Sequence, residues 1–370
     1  VTCDIDKNKT IKSRLPDLRI GDLVINPPIV LGGMGVRVTT APLVAAVANQ
    51  GCAGTIASVG IVSLDTKASD MVRASSEGLR LEIEKARALS QGPIGVNVMV
   101  ALSNFDALIK TCDEMEADYV VCGAGLPRNL PHLIANSHTK LIPIVSSVRA
   151  TKIICMDWWR KYERMPDAIV LEGAYAGGHL GFKYEQIDQW NENCLRRLTI
   201  EVVAALKPFE RLCGRSIPLI VGGGVYDGLD IAGILAAGAA GVQIATRFIS
   251  TIECEAHYNF KNEVIRSKIE DMMIIPSPVG MPLRAIRNPF VEKILQGKKV
   301  PFSCRYRCLK TCDPATAPFC IAKALSEAVN GNLDEGFVVG GYNSWRVHSI
   351  VTVKELIDEL VRDAAEAIKE

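Results

Sequence analysis

Nowhere does this sequence run apolar and uncharged for the roughly 18 to 20 residues that a helix needs to cross a bilayer. Its opening stretch, VTCDIDKNKTIKSR, is too polar to resemble a secretory leader. No membrane partner is therefore expected, and the expected location is the cytoplasm. Charge of one sign is also missing, since Lys plus Arg total 42 against 41 Asp plus Glu. That balance supplies no basic field for nucleic acid and no acidic tail, so a charged ligand must be met locally. Internal repeats and low-complexity tracts are absent, and histidine is scarce, with five in 370 residues.

The twelve cysteines lack a disulfide framework. Cys3, Cys52, Cys112, Cys122, Cys155, Cys194, Cys213 and Cys254 are scattered, several inside apolar runs, and read as reduced thiols in a chain of this size. The remaining four are bunched between Cys304 and Cys320.

Eight short apolar runs are present: PIVLGGM, GTIASV, PIGVNVM, YVVCGAG, LIPIVSSV, DAIVLEG, IPLIVGGG and GVQIATRF. Most carry glycine or small polar residues at or near their ends, and helical spacing separates many of them, as in TAPLVAAVANQG and GLDIAGILAAGA. Continuous rather than alternating apolar strands suit a parallel sheet covered on both faces. Eight such units predict an α/β fold, a (β/α)8 TIM barrel, in preference to an open doubly wound sheet. From His257 the pattern breaks into helical pieces interrupted by prolines, which predicts an inserted lid or small lobe over 256–312. The barrel would then comprise 1–255 and 313–370, closed by the last helices.

In a parallel barrel the chemistry belongs at the C-terminal ends of the strands. After the seventh run comes Gly222-Gly223-Gly224, leading into the helix VYDGLDIAGIL, and after the eighth comes Ala245-Thr246-Arg247. Glycines let backbone N–H groups approach a phosphate, and a helix N-terminus adds partial positive charge. The first run ends in Gly32-Gly33-Met34-Gly35, flat enough to carry an aromatic ring. Asn97, Ser146 and Ser147 end other runs and could hydrogen-bond its edge. His179, in AGGHLG beyond the sixth run, predicts an accessible ring titrating near neutrality and suited to acid–base work. His132, His138, His257 and His348 have no comparable setting.

The ordered series PIVLGGMG, GVNVM, EGAYAGGHLG, IPLIVGGGVYDG and GVQIATRF resembles the flavin-dependent nitronate monooxygenase family, formerly the 2-nitropropane dioxygenases. Enoyl-acyl-carrier-protein reductase II shares that superfamily and these signatures. The resemblance spans about Pro28 to Phe248. It implies FMN, with its phosphate on Gly223, Gly224, Ala245 and Thr246. Its ring would lie near Gly33, Met34 and Asn97, with Ser146, Gly178 and Gln243 nearby. It implies His179 as the catalytic histidine. Alanine at 245, where the family usually has glycine, narrows the approach but keeps the N–H.

Two chemistries fit a small-molecule substrate at such a site. One is oxidation of an alkyl nitronate. The other is reduction of a conjugated double bond, with NADH or NADPH as reductant. A flavin-free phosphate-binding barrel is a third reading that leaves GGMG and AGGH unexplained. A homodimer is compatible with all three.

The stretch Cys304-Arg-Tyr-Arg-Cys308-Leu-Lys-Thr-Cys312, followed by Cys320, departs from the family pattern. Its spacing matches neither zinc-finger pairs nor the common ferredoxin run. Four thiolates there could ligate an iron–sulfur cluster whose charge Arg305, Arg307 and Lys310 would offset. The other reading is buried or redox-active thiols in the lid.

Overall fold

The computed structural model describes residues 15–136 and 138–369. Cys3 and the polar opening stretch lie outside the described residues. All eight apolar runs form parallel strands: β1 (Ile29–Leu31), β2 (Gly54–Ala57), β3 (Ile94–Met99), β4 (Tyr119–Gly123), β5 (Lys140–Val145), β6 (Ile169–Glu172), β7 (Leu219–Gly222) and β8 (Gly241–Ile244). Their order is β1-β8-β7-β6-β5-β4-β3-β2. The ring closes where Val30 bridges Ala53 in parallel. There the Leu31 N–H donates to the Ala53 carbonyl at 2.9 Å, and the Ala53 N–H to that of Ile29 at 3.0 Å. The sheet is a (β/α)8 barrel, with helices such as Ala41–Ala48, Met71–Leu89 and Glu192–Cys213 between the strands.

The barrel interior is solid at its lower end. The hairpin Leu18–Ile20 and Leu23–Ile25 packs Leu18, Ile20 and Ile25 against Val30, Tyr119, Val121, Ile142, Val170 and Ile220. Tyr119 is the plug's largest side chain, and its hydroxyl donates to the Gly54 carbonyl at 2.8 Å. Any added Cβ at Gly95 would run into the Tyr119 ring, which accounts for glycine inside a strand. Because this end is filled, a ligand can enter only from the C-terminal ends of the strands.

Residues beyond β8 build over that open end. Helix Tyr258–Arg266 is followed by an antiparallel hairpin, Met272–Pro276 with Pro282–Ile286. The expectation of interrupted helices is corrected here. Pro276, Pro278 and Pro282 deny helical hydrogen bonds, and Gly280, at φ 79°, closes a turn through its N–H to the Ser277 carbonyl at 2.9 Å. Strand Pro282–Ile286 pairs on its other edge with Gly178–His179 from the loop after β6. Phe290 and Phe337 stack at 5.7 Å, Phe319 meets both edge-on at 5.6 and 5.9 Å, and the trio ties this region into the main core. Helix Val353–Ala367, started by a Thr352/Glu355 capping box, packs on helix Gly228–Ala236. Among the described residues no helix is long and apolar enough to cross a membrane.

Candidate active site

A cavity of about 1110 Å³ opens at the C-terminal rim. It brings together Gly33, Met34, Asn97, Ser146, Gly178, His179, Gly223, Gly224, Gln243, Ala245 and Thr246, and Cys304, Cys308, Cys312 and Cys320 also line it. Ordinary small-ligand sites occupy about 300–1,000 Å³, so there is room for a cofactor and a substrate together.

One wall is bare backbone. Gly223 and Gly224 take φ values of +74° and +148°, which side chains rarely adopt. Gly223 also passes so close to Gly173 that an added Cβ would meet backbone atoms. Among the described residues no protein acceptor meets the N–H groups of Gly223, Gly224 or Thr246. Unpaired donors converging on a cavity are what an anionic group requires. The Thr246 hydroxyl accepts from the Gly341 N–H at 3.0 Å, and Asn343 Nδ2 donates to the Gly224 carbonyl at 3.0 Å, so residues 341–343 hold both loops in place.

Two parts of the expected phosphate site are used otherwise. The helix after β7 is capped by its own acids: Asp227 accepts from the Asp230 N–H at 3.0 Å, and Asp230 from the Tyr226 N–H at 2.8 Å. Its N-terminus therefore already faces negative charge. Arg247 lines the cavity, but its guanidinium is engaged by Glu359 at 3.0 Å and stacks 4.5 Å from the Tyr226 ring centroid. The cradle consists of backbone N–H groups, not a cationic side chain.

A second wall is flat. Gly33 lies directly on Asn97, where an added Cβ would collide with the asparagine side chain. Asn97 Nδ2 donates to the Val121 carbonyl at 3.3 Å. The Gln243 amide makes no hydrogen bond among the described residues and is free for a ligand. Ser146 Oγ donates to the Gly181 carbonyl at 2.8 Å, fixing the loop that carries His179. Ser147 does not reach the cavity, because its hydroxyl caps helix Val148–Tyr162 by accepting from the Ala150 N–H.

His179 is half-buried and lines the cavity, but its titration departs from the expected near-neutral ring. Its strand is clamped against Leu283, and its Nε2 lies 2.7 Å from Ser277 Oγ. Burial pushes the imidazole down to about 4 from the ordinary 6.5, so the ring is uncharged at neutral pH. Arg284, 3% exposed, supports the same loop by donating to the carbonyls of Ala174 and Ala176. The Tyr175 and Tyr342 rings, stacked at 4.3 Å, lie beside the Arg284 guanidinium.

Glu172, at the end of β6, was not singled out in the sequence. It lines the cavity without a hydrogen-bond or ion-pair partner among the described residues. Burial pushes its carboxyl up to about 7 from the ordinary 4.5. The two groups bias stability in opposite directions. The unfolded chain protonates His179 where the folded chain does not, so stability falls as pH drops from 6.5 towards 4. The folded chain keeps a proton on Glu172 that the unfolded chain releases, so stability falls as pH rises from 4.5 towards 7. Between 4.5 and 6.5 the two slopes cancel. Relative to wild type, Glu172→Gln should therefore lose stability on acidification across that window, by up to about 1.4 kcal/mol per pH unit. His179→Ala should show the opposite tilt. Urea unfolding at several pH values measures both, and parallel curves for all three proteins would contradict the assignment.

A sequence profile of the nitronate monooxygenase family matches residues 18–363. A Mycobacterium tuberculosis protein named (3aS,4S,5R,7aS)-5-hydroxy-7a-methyl-1-oxo-octahydro-1H-indene-4-carboxyl-CoA dehydrogenase is 28% identical over 276 residues, 74% of this chain and 67% of the relative. A probable nitronate monooxygenase of Staphylococcus aureus is 27% identical, over 77% of this chain and 81% of the relative. Among solved structures, FabK from Thermotoga maritima superposes with a TM-score of 0.72 at 27% identity, covering 92% of this chain and 94% of its own. The nitroalkane oxidase of Streptomyces ansochromogenes, at 20% identity and a TM-score of 0.71 over 92% and 96%, shares the fold. The barrel, the rim glycines and the family match agree: the chain belongs to the nitronate monooxygenase family and is a flavin-type oxidoreductase.

Proposed function

We propose that the cavity binds FMN and that the enzyme uses NADH or NADPH to reduce a conjugated double bond on a thioester. The observation that carries this reading is the half-buried His179, which faces the cavity and is held 2.7 Å from Ser277 Oγ, where desolvation keeps its ring uncharged. A neutral imidazole is a poor trap for an anionic nitronate but a good hydrogen-bond partner for a neutral carbonyl. Two similarities support a thioester: the Mycobacterium relative is named for a carboxyl-CoA substrate, and FabK is an enoyl-acyl-carrier-protein reductase II. The cavity volume also exceeds what FMN and a nitronate of a few atoms would fill.

The residues fit the cofactor. Backbone N–H groups of Gly223, Gly224, Ala245 and Thr246 hold the phosphate. Gly33 and Met34 support the ring, with Asn97, Gln243, Ser146 and Gly178 around it. When bound, FMN supplies hydride transfer between a nicotinamide and the substrate carbon. His179 presents the ring nitrogen not engaged by Ser277 to the thioester carbonyl and orients it. Glu172, with its carboxyl pushed up to about 7, keeps a proton inside the same cavity for the adjacent carbon. The lobe over 256–312 covers the substrate and excludes water.

Anaerobic mixing of the FMN-loaded protein with NADH, NADPH or propionate 3-nitronate tests the reading. Rapid flavin bleaching by a nicotinamide is the expected result. Bleaching by the nitronate alone, with oxygen consumed on turnover, would replace this reading with nitronate oxidation. A colourless protein that cannot take up FMN would overturn both.

A further inference from the structure

Between helix Pro289–Leu295 and helix Ile321–Val329 the chain crosses the cavity mouth without a regular helix or strand. Irregular segments longer than about 12–15 residues are uncommon in compact domains unless something specific orders or uses them. The neck of this one is closed by the Val300 N–H donating to the Pro318 carbonyl at 2.8 Å. Its middle is docked on the loop after β3. The Ser103 N–H donates to the Cys308 carbonyl at 3.0 Å, the Lys310 N–H to that of Ala101 at 2.9 Å, and Ser103 Oγ to that of Arg307 at 2.7 Å. These anchors fix the backbone; Leu309 and Phe319 are buried in the core, and the segment's other side chains contribute little apolar packing. What they share is sulfur.

We propose that Cys304, Cys308, Cys312 and Cys320 form the binding site of a four-iron iron–sulfur cluster in the wall of the cavity. All four thiols line that one cavity, and none is in a disulfide. Cys304, Cys308 and Cys312 fall within nine positions of the docked loop, and Cys320 follows at the N-cap of helix Ile321–Val329, where its side chain caps nothing. Among the described residues, the five buried cysteines, Cys52, Cys112, Cys122, Cys155 and Cys254, do not line the cavity.

A single zinc ion draws its sulfurs to about 2.3 Å from one centre, and among the described residues no group of three or more His, Cys, Asp or Glu is drawn together in that way. A four-iron cluster is wider, and its assembly would gather the four thiolates of the loop around it. Charge points the same way. A cubane with four thiolates is an anion, and Arg307 and Lys310 have no carboxylate partner among the described residues. Arg307 Nε donates to the Cys312 carbonyl at 3.2 Å, and Lys310 Nζ to that of Val100 at 3.2 Å, so both cations are held beside the quartet. Arg305 is the exception, 3.4 Å from exposed Asp65. Cluster assembly would staple a segment otherwise held by a few hydrogen bonds and by the buried Leu309 and Phe319.

The test uses the full chain, purified anaerobically and also reconstituted with ferrous iron and sulfide. Roughly four irons and four acid-labile sulfides per chain are expected, with visible absorbance that dithionite lowers and a new low-temperature EPR signal. The double variant Cys308→Ser/Cys312→Ser should lose at least about tenfold in bound iron while keeping its FMN. Cys194→Ser/Cys213→Ser should keep both. Native alkylation read by mass spectrometry should leave the four cysteines unlabelled until a chelator is added. Absence of iron and sulfide after both treatments, stoichiometric zinc without sulfide, or iron retained by Cys308→Ser/Cys312→Ser would each overturn the proposal. Should that variant fail to fold, the wild-type stoichiometry and alkylation pattern decide alone. FMN content is read separately, so failure here leaves the proposed flavin reaction untouched.

Discussion

Replacing His179 by alanine is expected to cut turnover by about 10²-fold or more while leaving flavin stoichiometry unchanged. The imidazole belongs to the wall formed by Gly178–His179 and the hairpin strand Pro282–Ile286, apart from the glycine cradle proposed for the phosphate. Its removal therefore strips a hydrogen-bond partner from the substrate without unseating the cofactor. Ser277 loses the group 2.7 Å from its hydroxyl and cannot substitute for it. His179→Gln, which can still reach Ser277, should recover part of the activity. A pH–rate profile separates this role from that of Glu172. With the imidazole pushed down to about 4, His179 gives no inflection between pH 5 and 8. An inflection near 7 belongs to Glu172 and should vanish in Glu172→Gln. Wild-type turnover in His179→Ala would end the catalytic assignment, and an unshifted inflection in Glu172→Gln would end the proton-holding one.

The parts of this molecule legible in the sequence are those written locally. Strands buried on both faces must be apolar without alternation, so runs such as DAIVLEG and IPLIVGGG announced β6 and β7, and the glycines at their ends marked the rim. The illegible parts depend on partners far along the chain. Ser277 reaches His179 across 98 positions because a proline-rich stretch folds back as a hairpin. That pairing leaves the histidine half-buried and neutral, whereas its glycine neighbours alone suggest a fully open ring. Nothing local in Ala245-Thr246-Arg247 tells that the Arg247 guanidinium is engaged by Glu359, 112 positions away. Glu172 had no local signal, since a carboxyl at a strand end is ordinary until every neighbour is known to leave it unpaired. Local spacing located the site, and tertiary contacts determined its electrostatics.

Alanine at Gly223 is expected to abolish FMN retention on gel filtration, whereas alanine at Gly214 should leave it intact. Both glycines are left-handed, at φ +74° and +68°, so both substitutions incur the backbone strain of about 1–2 kcal/mol that an L side chain meets there. Only Gly223 adds a collision. A Cβ at Gly214 meets nothing within 4 Å, whereas at Gly223 it would strike the backbone of Gly173, which cannot rotate away. The loops after β6 and β7 must then separate, and the Gly223 and Gly224 N–H groups move off the position where they converge. Gly224→Ala is intermediate: its φ of +148° is strained, but the nearest contact, Leu195 Cδ2 at 3.0 Å, is the end of a side chain that can shift. Flavin content should therefore fall in the order Gly214→Ala, Gly224→Ala, Gly223→Ala. Thermal unfolding of the flavin-free proteins separates strain from lost cofactor, because the Gly214 and Gly224 variants should differ far less in stability than in FMN content. Equal flavin content across the series would remove the backbone cradle as the phosphate site.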